Sequence, residues 1–163
     1  MSHRIGVISS RFNEKVTTLL TQGTLEQFKL RANPIASEDI FHVPGAIEIP
    51  MVAACLAKKN FYDAIICLGA VIRGETSHYD YVCSQVSYGC QKIAIEYQIP
   101  VIFGVLTTDD EKQALARCGG AQGHKGRECA DAALEMIALV KQINLYASYK
   151  LDGFNLSNSK PSL

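Results

Sequence analysis

Apolar residues form two kinds of pattern, and the two alternate along the chain. Four short runs are apolar at nearly every position, which is typical of strands buried in a sheet. Between them, apolar residues recur every three or four positions, which is typical of helices with one buried face. The run AIICLGAVI is the most apolar and predicts a strand covered on both faces. The predicted strands are Arg4–Ser9, Asp39–Val43, Ala64–Ile72 and Val101–Leu106.

Five helices are predicted in the remaining segments. We expect Asn13 to cap the first helix, whose apolar stripe includes Val16, Leu19, Leu20 and Phe28. Pro50 suits the first turn of the second helix. The spacing Thr108-x-x-Glu111 predicts a capping box for the fourth. The predicted helices run from Asn13 to a break at Asn33–Pro34, from Pro50 to Lys59, from about Ser77 to Gln98, from Thr108 to about Cys118, and from Gly126 to about Tyr146.

This alternation of strand and helix predicts the fold class. It implies a parallel sheet with right-handed crossovers and helices on both faces, that is, a three-layer α/β sandwich. We expect one domain over residues 1–150. Residues 151–163, which are rich in Ser and Asn, predict a poorly ordered tail. Ligands of such folds bind beyond the carboxyl ends of the strands, so the candidate site segments are Ser10–Asn13, Pro44–Glu48, Ala70–His78 and Leu106–Thr108.

Composition and charge exclude several function classes. Hydrophobic residues make up 48% and charged residues 20% of the 163 positions, as in an ordinary globular protein. Sixteen Lys and Arg balance sixteen Asp and Glu, which argues against nucleic acid or an anionic membrane as a partner. No apolar run reaches the roughly 18 residues of a spanning helix. With no signal-peptide pattern at the N-terminus, we expect a cytoplasmic protein. Zero net charge also favours a surface partly covered by association.

The cysteines and histidines do not predict a metal or redox site. None of the six cysteines forms a C-x-x-C pair, and the four histidines are scattered. Inert core thiols in a reducing compartment are the favoured interpretation, and a zinc site is the alternative. We therefore expect no metal.

The segment from Arg73 to His78, RGETSH, carries the most suggestive chemistry. It joins a predicted buried strand to the start of a helix, where free N–H groups and the helix dipole favour an anion. Gly74 permits close approach of a ligand, and Thr76 adds a hydroxyl donor, so the segment predicts a phosphate cradle. His78 is a candidate base. The alternatives are an ordinary capped helix and a histidine that only hydrogen-bonds the loop.

Three further positions have both a functional and a structural interpretation. Phe12 follows the first predicted strand and could stack on a planar ligand or merely cover the sheet edge. Glu48 could accept sugar hydroxyls or simply stabilise a helix start. Arg117, at a helix end, could clamp phosphate or complement the helix dipole.

These segments resemble those of the 6,7-dimethyl-8-ribityllumazine synthase family. The matching residues occur in the family's order and spacing from about Ile5 to Ala138, and GAVIRGETSHYDYV is the most specific of them. The other matching segments are Ser10–Asn13 (SRFN), Val43–Pro50 (VPGAIEIP), Pro100–Thr108 (PVIFGVLTT), Arg117, and Gly123–Gly126 (GHKG).

The resemblance implies a flavodoxin-like sandwich and a specific reaction. In that reaction 5-amino-6-(D-ribitylamino)uracil condenses with 3,4-dihydroxy-2-butanone 4-phosphate to give 6,7-dimethyl-8-ribityllumazine, the penultimate step of riboflavin biosynthesis. An imine forms, phosphate leaves, and the ring closes with loss of water. The resemblance implies no metal or organic cofactor. A flavin-binding module without turnover and a purely structural shell remain as alternative functions.

The resemblance also implies roles for individual residues. His78 matches the residue that transfers protons. The residues matching the ribitylaminouracil site are Phe12, Ala46, Ile47, Glu48, Ala70, Val71, Ile72 and, from the neighbouring subunit, Phe103. Those matching the butanone phosphate site are Glu75, Thr76 and Arg117, and possible supporting residues are Asn13, Lys125 and Glu128.

Finally, the resemblance implies an assembly. It suggests a homopentamer with shared active sites, a shell of twelve pentamers, and association with riboflavin synthase. The short connection before the last helix favours the shell. Family members usually carry about ten residues before the first strand, which pair with a neighbour, whereas Met1 here lies almost at that strand. The pairing through these residues therefore stays open.

Overall fold

Four parallel strands form the centre of the molecule. The computed structural model describes the backbone of residues 3–156 and the side chains of residues 3–146. The strand order is β2-β1-β3-β4, with every neighbouring pair parallel, as in flavodoxin-like sheets. The predicted parallel sheet is therefore confirmed. The strands are β1 (Ile5–Ser10), β2 (Ile40–Val43), β3 (Ala64–Ile72) and β4 (Val101–Thr108).

Helices cover both faces of the sheet, which completes the predicted three-layer sandwich. Helices α1 and α5 pack on one face, and α2 and α3 pack on the other. A short antiparallel hairpin, β5 and β6, connects α4 to α5. The helices are α1 (Glu14–Leu30), α2 (Ile49–Lys59), α3 (His78–Tyr97), α4 (Glu111–Ala116) and α5 (Lys125–Leu156), and the hairpin strands are Cys118–Gly120 and Gly123–His124.

The central strand β3 shows why the sequence is so apolar there. Ile65 and Cys67 face α2 and α3, whereas Ile66 and Leu68 face α1 and α5. All four are fully buried, because successive side chains of a strand point to opposite faces. Burying a side chain such as Ile or Leu contributes about 1.5–3 kcal/mol, so β3 ties the two cores together.

Several predicted boundaries differ from those in the structure. Strand β1 begins at Ile5 rather than Arg4, β2 begins at Ile40 because Asp39 lies in a 3-10 turn, and β4 continues to Thr108. Helix α5 is longer than expected, because its backbone continues from Tyr146 to Leu156. The tail predicted for residues 151–163 therefore begins within this helix, and residues 157–163 lie outside the described residues.

The predicted capping box of α4 is wrong. The helix is capped by Asp110, whose side chain accepts a hydrogen bond from Gln113 N at 2.7 Å. Thr108 instead ends β4, and its hydroxyl donates to the Asp110 carbonyl at 2.9 Å. Thr108 still belongs to the sheet because its backbone pairs beside Ile72, so it lies too early to start the helix.

Two further observations bear on location and chemistry. None of the helices within residues 3–156 is long and apolar enough to cross a membrane. All six cysteines are free thiols. Burial raises the pKa of Cys129 to about 11, so this thiol stays protonated and unreactive near neutral pH.

Candidate functional site

One pocket lies beyond the carboxyl ends of β1 and β3. Its cavity has a volume of about 340 Å³, within the range of small-molecule sites. Most of its walls are apolar, and polar groups come from the loop before α3. We call it the first pocket, and its lining residues are Phe12, Gly45, Ala46, Ile47, Ala70, Val71, Ile72, Gly74, Thr76, His78, Tyr79 and Val82.

Phe12 presents its ring at the mouth of the first pocket. The backbone beyond β1 stays bonded to the chain leaving β2, because Arg11 N donates to the Val43 carbonyl at 2.8 Å and Phe12 N to the Pro44 carbonyl at 3.0 Å. These bonds fix the backbone at Phe12, while 70% of the residue stays exposed. An aromatic face held open in this way can stack on a planar ligand.

Asn13 has a role that the sequence analysis did not predict. Its side chain does not cap α1. It donates instead from Nδ2 to the Ala70 carbonyl at 2.9 Å, across the carboxyl edge of the sheet. Its backbone adopts the left-handed conformation, with φ 59°, which Asn tolerates better than most residues. Asn13 therefore ties the end of β1 to the end of β3, two walls of the first pocket.

The segment after β2 supplies a third wall. Ala46, Ile47 and Glu48 form a 3-10 turn that leads directly into α2. Ala46 and Ile47 line the pocket, whereas the carboxylate of Glu48 turns back and accepts a hydrogen bond from Gly45 N at 2.8 Å. The Glu48 carboxylate thus borders the pocket through Gly45, with further acceptor capacity left on its oxygens.

The loop after β3 places His78 on the pocket rim. His78 is exposed and is the first residue of α3. The backbone N–H of His78 donates to Thr76 Oγ1 at 3.4 Å. Both residues line the pocket together with Gly74. A Cβ on Gly74 would meet nothing within 4 Å, so this backbone is open to an approaching ligand. Glu75 is exposed but does not line the pocket.

Arg73 fixes this loop against its surroundings. Its guanidinium donates to Asp109 at 3.1 Å and to Asp80 at 3.2 Å, and it lies over the Tyr79 ring at 4.0 Å from the centroid. Hydrogen bonding to Asp109 raises the pKa of Arg73. The arginine therefore joins the first turn of α3 to the loop after β4.

A second pocket of about 510 Å³ lies beside the end of β4. Arg117 and Lys125 line it, and both cations lie 3.7 Å from the same carboxylate oxygen, Glu128 Oε2. The Lys125 N–H also donates to the Arg117 carbonyl at 2.8 Å, so the hairpin holds the two cations side by side. The other residues of the second pocket are Phe103, Val105, Leu106, Thr107, Thr108, Gln113, Ala116 and Gln122.

The structure thus divides the predicted site residues between two places. No residue lines both pockets in the part of the chain that the structure describes. The first pocket gathers Phe12, Ala46, Ile47, Ala70, Val71, Ile72, Thr76 and His78. The second pocket gathers Phe103, Arg117 and Lys125, with Glu128 beside them. Arg117 and His78 of one chain thus line different pockets.

Some lining residues were missed by the sequence analysis. Tyr79 and Val82 extend the wall that His78 begins, and the four-residue spacing from His78 to Val82 could have identified the latter as sharing its helix face. Gln113 and Gln122 line the second pocket, but each lies in a segment without a distinctive motif. Only the packing of α4 and the hairpin brings them together.

Comparison with known proteins places this geometry in context. The family model for 6,7-dimethyl-8-ribityllumazine synthase matches residues 2–141. A 6,7-dimethyl-8-ribityllumazine synthase from the Dugway strain of Coxiella burnetii is 52% identical over 147 residues, which cover 88% of this chain and 95% of the relative. The protein of the same name from the Nine Mile strain is 51% identical over the same coverage.

The role of Asn13 yields a prediction about stability. We expect Asn13→Ala to destabilise the fold by about 1–2 kcal/mol through its left-handed backbone alone, with roughly 0.5–1.5 kcal/mol more from the lost bond to Ala70. Asn13→Gly loses only the bond, because glycine adopts this backbone conformation freely. Urea unfolding at one fixed protein concentration measures both variants. Equal losses for Ala and Gly would contradict the backbone argument.

Proposed function

Because the chain belongs to the 6,7-dimethyl-8-ribityllumazine synthase family, we propose that it condenses 5-amino-6-(D-ribitylamino)uracil with 3,4-dihydroxy-2-butanone 4-phosphate to give 6,7-dimethyl-8-ribityllumazine in riboflavin biosynthesis. The observation that carries this proposal is the first pocket, where an exposed aromatic ring and an imidazole border one apolar cavity. A stacking surface beside a proton-transfer group is what a pyrimidine diamine needs in order to react there.

The pyrimidine substrate fits the first pocket by its shape and polarity. The ring stacks on Phe12, and its polar edge meets backbone groups of Ala70, Val71 and Ile72. The ribityl chain lies along the turn Ala46–Glu48, where the Glu48 carboxylate accepts its hydroxyls. Apolar walls exclude water around the ring, whereas the Glu48 carboxylate at the border of the pocket accepts hydrogen bonds from the ribityl chain.

His78 moves the protons of the reaction. When the substrate amine attacks the ketone carbon, the amine loses protons and the carbonyl oxygen leaves as water. An imidazole on the pocket rim can accept the first proton and return it to that oxygen. Loss of the C–H proton next to the imine carbon then expels phosphate by breaking its C–O bond, and the enol that results becomes a ketone. The second nitrogen attacks that ketone and closes the ring with loss of another water.

The phosphate group is bound where the two pockets meet in an assembly. The first pocket offers Gly74 and Thr76 beside His78, and we propose that the backbone of Glu75 between them completes a phosphate cradle. Among the described residues, no Lys or Arg lines this pocket. The second pocket offers Arg117 and Lys125 but no aromatic and imidazole pair. We infer that the first pocket of one subunit faces the second pocket of its neighbour. Phe103 would then reach the pyrimidine from that neighbour.

A ring of subunits supplies this arrangement. Pairing of two different surfaces is a heterologous interface, which closes into a ring, and the proposed ring is a pentamer. On α3, Tyr81, Tyr88 and Ile95 lie seven residues apart, and each is at least 64% exposed. Such a stripe is the seam that one helix presents to another. It supports α3 as part of the subunit interface.

The larger assembly and the location follow as extensions of the proposal. The short hairpin between α4 and α5 supports a shell of twelve pentamers, and association with riboflavin synthase stays a prediction from the resemblance. The six free thiols support a reducing compartment such as the cytoplasm.

The direct test is formation of the lumazine chromophore. Purified protein is mixed with the two substrates, and absorbance is followed against a sample without protein, because the amine and the ketone can condense slowly unaided. We expect a large acceleration that depends on protein concentration and releases one phosphate per lumazine. If the protein only binds lumazine without accelerating its formation, the chain is a binding module.

Replacing His78 tests its role in proton transfer. We expect His78→Ala to lower kcat by about 10²-fold or less, at the low end of general acid–base catalysis. Positioning of the two substrates supplies the rest of the acceleration. His42→Ala, which removes an exposed histidine of β2 that lines neither pocket, is the matched control and keeps the wild-type kcat. A His78→Ala enzyme with full kcat at saturating substrates would remove this histidine from the mechanism.

Replacing residues of the second pocket tests phosphate binding. We expect Arg117→Ala to raise KM for the phosphorylated ketone about 10–150-fold, because a charge-assisted hydrogen bond is worth roughly 1.5–3 kcal/mol. KM for the pyrimidine should change much less. Glu128→Gln should lower KM for the ketone by about 2- to 5-fold, because phosphate no longer competes with a carboxylate for the two half-buried cations. Equal changes for both substrates would make Arg117 structural.

Sharing of the site between subunits is tested by complementation. His78→Ala and Arg117→Ala chains are coexpressed so that they form mixed rings. A shared site is intact wherever an Arg117→Ala subunit supplies His78 and its neighbour supplies Arg117, which in a random equal mixture is about one site in four. With the ketone far below its KM, where sites lacking Arg117 contribute little, we therefore expect about a quarter of the wild-type activity. Mixed rings no more active than the mean of the two parents would place each site within one chain.

A further inference from the structure

His124, in β6, seats its ring against helix α1 at Gly23. A Cβ added to Gly23 would lie 2.0 Å from His124 Cε1 and 2.2 Å from Nε2, so no other residue type at position 23 could leave the ring where it is. The absence of a side chain at Gly23 therefore creates the space that the imidazole fills. This contact fastens the hairpin β5–β6 to the body of the protein.

A second contact fastens the chain two residues later. A Cβ on Gly126 would lie 2.2 Å from the Leu20 carbonyl oxygen, and Thr24 Oγ1 donates to the Gly126 carbonyl at 3.0 Å. His124 and Gly126 thus both press on α1, one on each side of Lys125. Since Lys125 itself lines the second pocket, these two contacts fix the backbone from which its ammonium group extends.

The same hairpin also holds Arg117 in place. Cys118 pairs with His124 across the two strands, and the Lys125 N–H donates to the Arg117 carbonyl at 2.8 Å. Arg117 Nη1 also donates to the Gln122 carbonyl at 3.3 Å within the hairpin turn. Any shift of His124 out of its seat is therefore transmitted to both cations of the second pocket.

The His124 ring packs against α1, and its Nδ1 atom is buried without a hydrogen-bond partner within residues 3–146. Burial and then the charge of Arg127 lower the pKa of His124, while hydrogen bonding to its own backbone and the charges of Glu26 and Glu128 act against this shift. The neutral imidazole fills the space at Gly23 by shape, and none of the proposed chemical steps uses it.

We propose that His124 is a positioning residue for the phosphate site: seated against Gly23, it holds the hairpin so that Arg117 and Lys125 face the second pocket together. The inference rests on the proposed function, because it assigns those two cations to the phosphorylated substrate. It predicts that His124 governs affinity for phosphate rather than the rate of the chemical step. Its partner in this role is Gly23, on an element that touches neither pocket.

The test approaches the contact from both sides. His124→Ala removes the ring that packs against Gly23, and Gly23→Ala adds a methyl group in the space that the ring occupies. We expect each to raise both KM for the phosphorylated ketone and the inhibition constant of inorganic phosphate by about tenfold, below the roughly 100-fold that a 1 Å misplacement can cost. KM for the pyrimidine and kcat at saturation should stay within about twofold. Lys112→Ala, which removes an exposed cation of α4 outside both pockets, is the control.

The double variant Gly23→Ala/His124→Ala separates seating from general damage. With the imidazole gone, the methyl group at position 23 meets no ring, so the double variant should be no worse than His124→Ala alone. His124→Asn, which keeps a planar neutral side chain, should recover part of the phosphate affinity. If His124→Ala does not fold, His124→Asn and Gly23→Ala carry the same measurements.

The outcomes that would contradict the inference about His124 differ from those that would contradict the proposed function. If both substrates and kcat worsen together, or if the two single effects add in the double variant, His124 is only structural and the inference is wrong. Unchanged phosphate constants also overturn it. Titration of the wild type and the variants with inorganic phosphate measures their affinity for phosphate without any turnover. A wild type that binds phosphate but forms no lumazine would refute the proposed function, whereas loss of that binding in the variants would still support the inference.

Discussion

Burial of the sheet on both faces is the constraint from which the rest of the structure follows. Side chains of β3 alternate between two cores, Ile65 and Cys67 in one and Ile66 and Leu68 in the other. No polar group is free to act from within such a strand, because an unpaired polar side chain there would lose its hydration. Chemistry is therefore confined to the carboxyl edge, where the strands end and the loops begin. Phe12, Ala46 and His78 all lie at that edge, each from a different crossover.

The loops at the carboxyl edge of the sheet need their own cross-links, since they lack the regular backbone hydrogen bonds that join the strands. Asn13 bonds the end of β1 to the Ala70 carbonyl of β3, and Arg73 joins the first turn of α3 to Asp109 after β4. Both residues are polar, and both connect segments far apart in sequence. Such cross-links keep the walls of the first pocket at a fixed separation without closing its mouth.

In the proposed reaction, the two pockets would divide the chemistry between a stacking surface and a cationic surface. In the first pocket an imidazole borders apolar walls, whereas in the second Arg117 and Lys125 share the carboxylate of Glu128. In the proposed assembly, the cations that complete the first pocket of one subunit would come from its neighbour. The proposed ring would make catalysis conditional on assembly, and it would bury the exposed apolar stripe of α3 against a neighbouring subunit.

The sequence by itself determined the strands, the helices, the parallel sheet and the residues that reach its carboxyl edge. It could do so because apolar periodicity is a local property, as in the nine-residue run of β3, and because Phe12, Ala46 and His78 each lie in the segment that leaves the carboxyl end of a strand. Only the tertiary structure decided which partner each polar side chain has. Asn13 and Thr108 both stand where a helix cap is expected, yet Asn13 bonds a carbonyl 57 residues away and Thr108 completes a strand. The contact of the His124 ring with Gly23 cannot be seen in the sequence either, because it depends on how α1 and the hairpin pack in space.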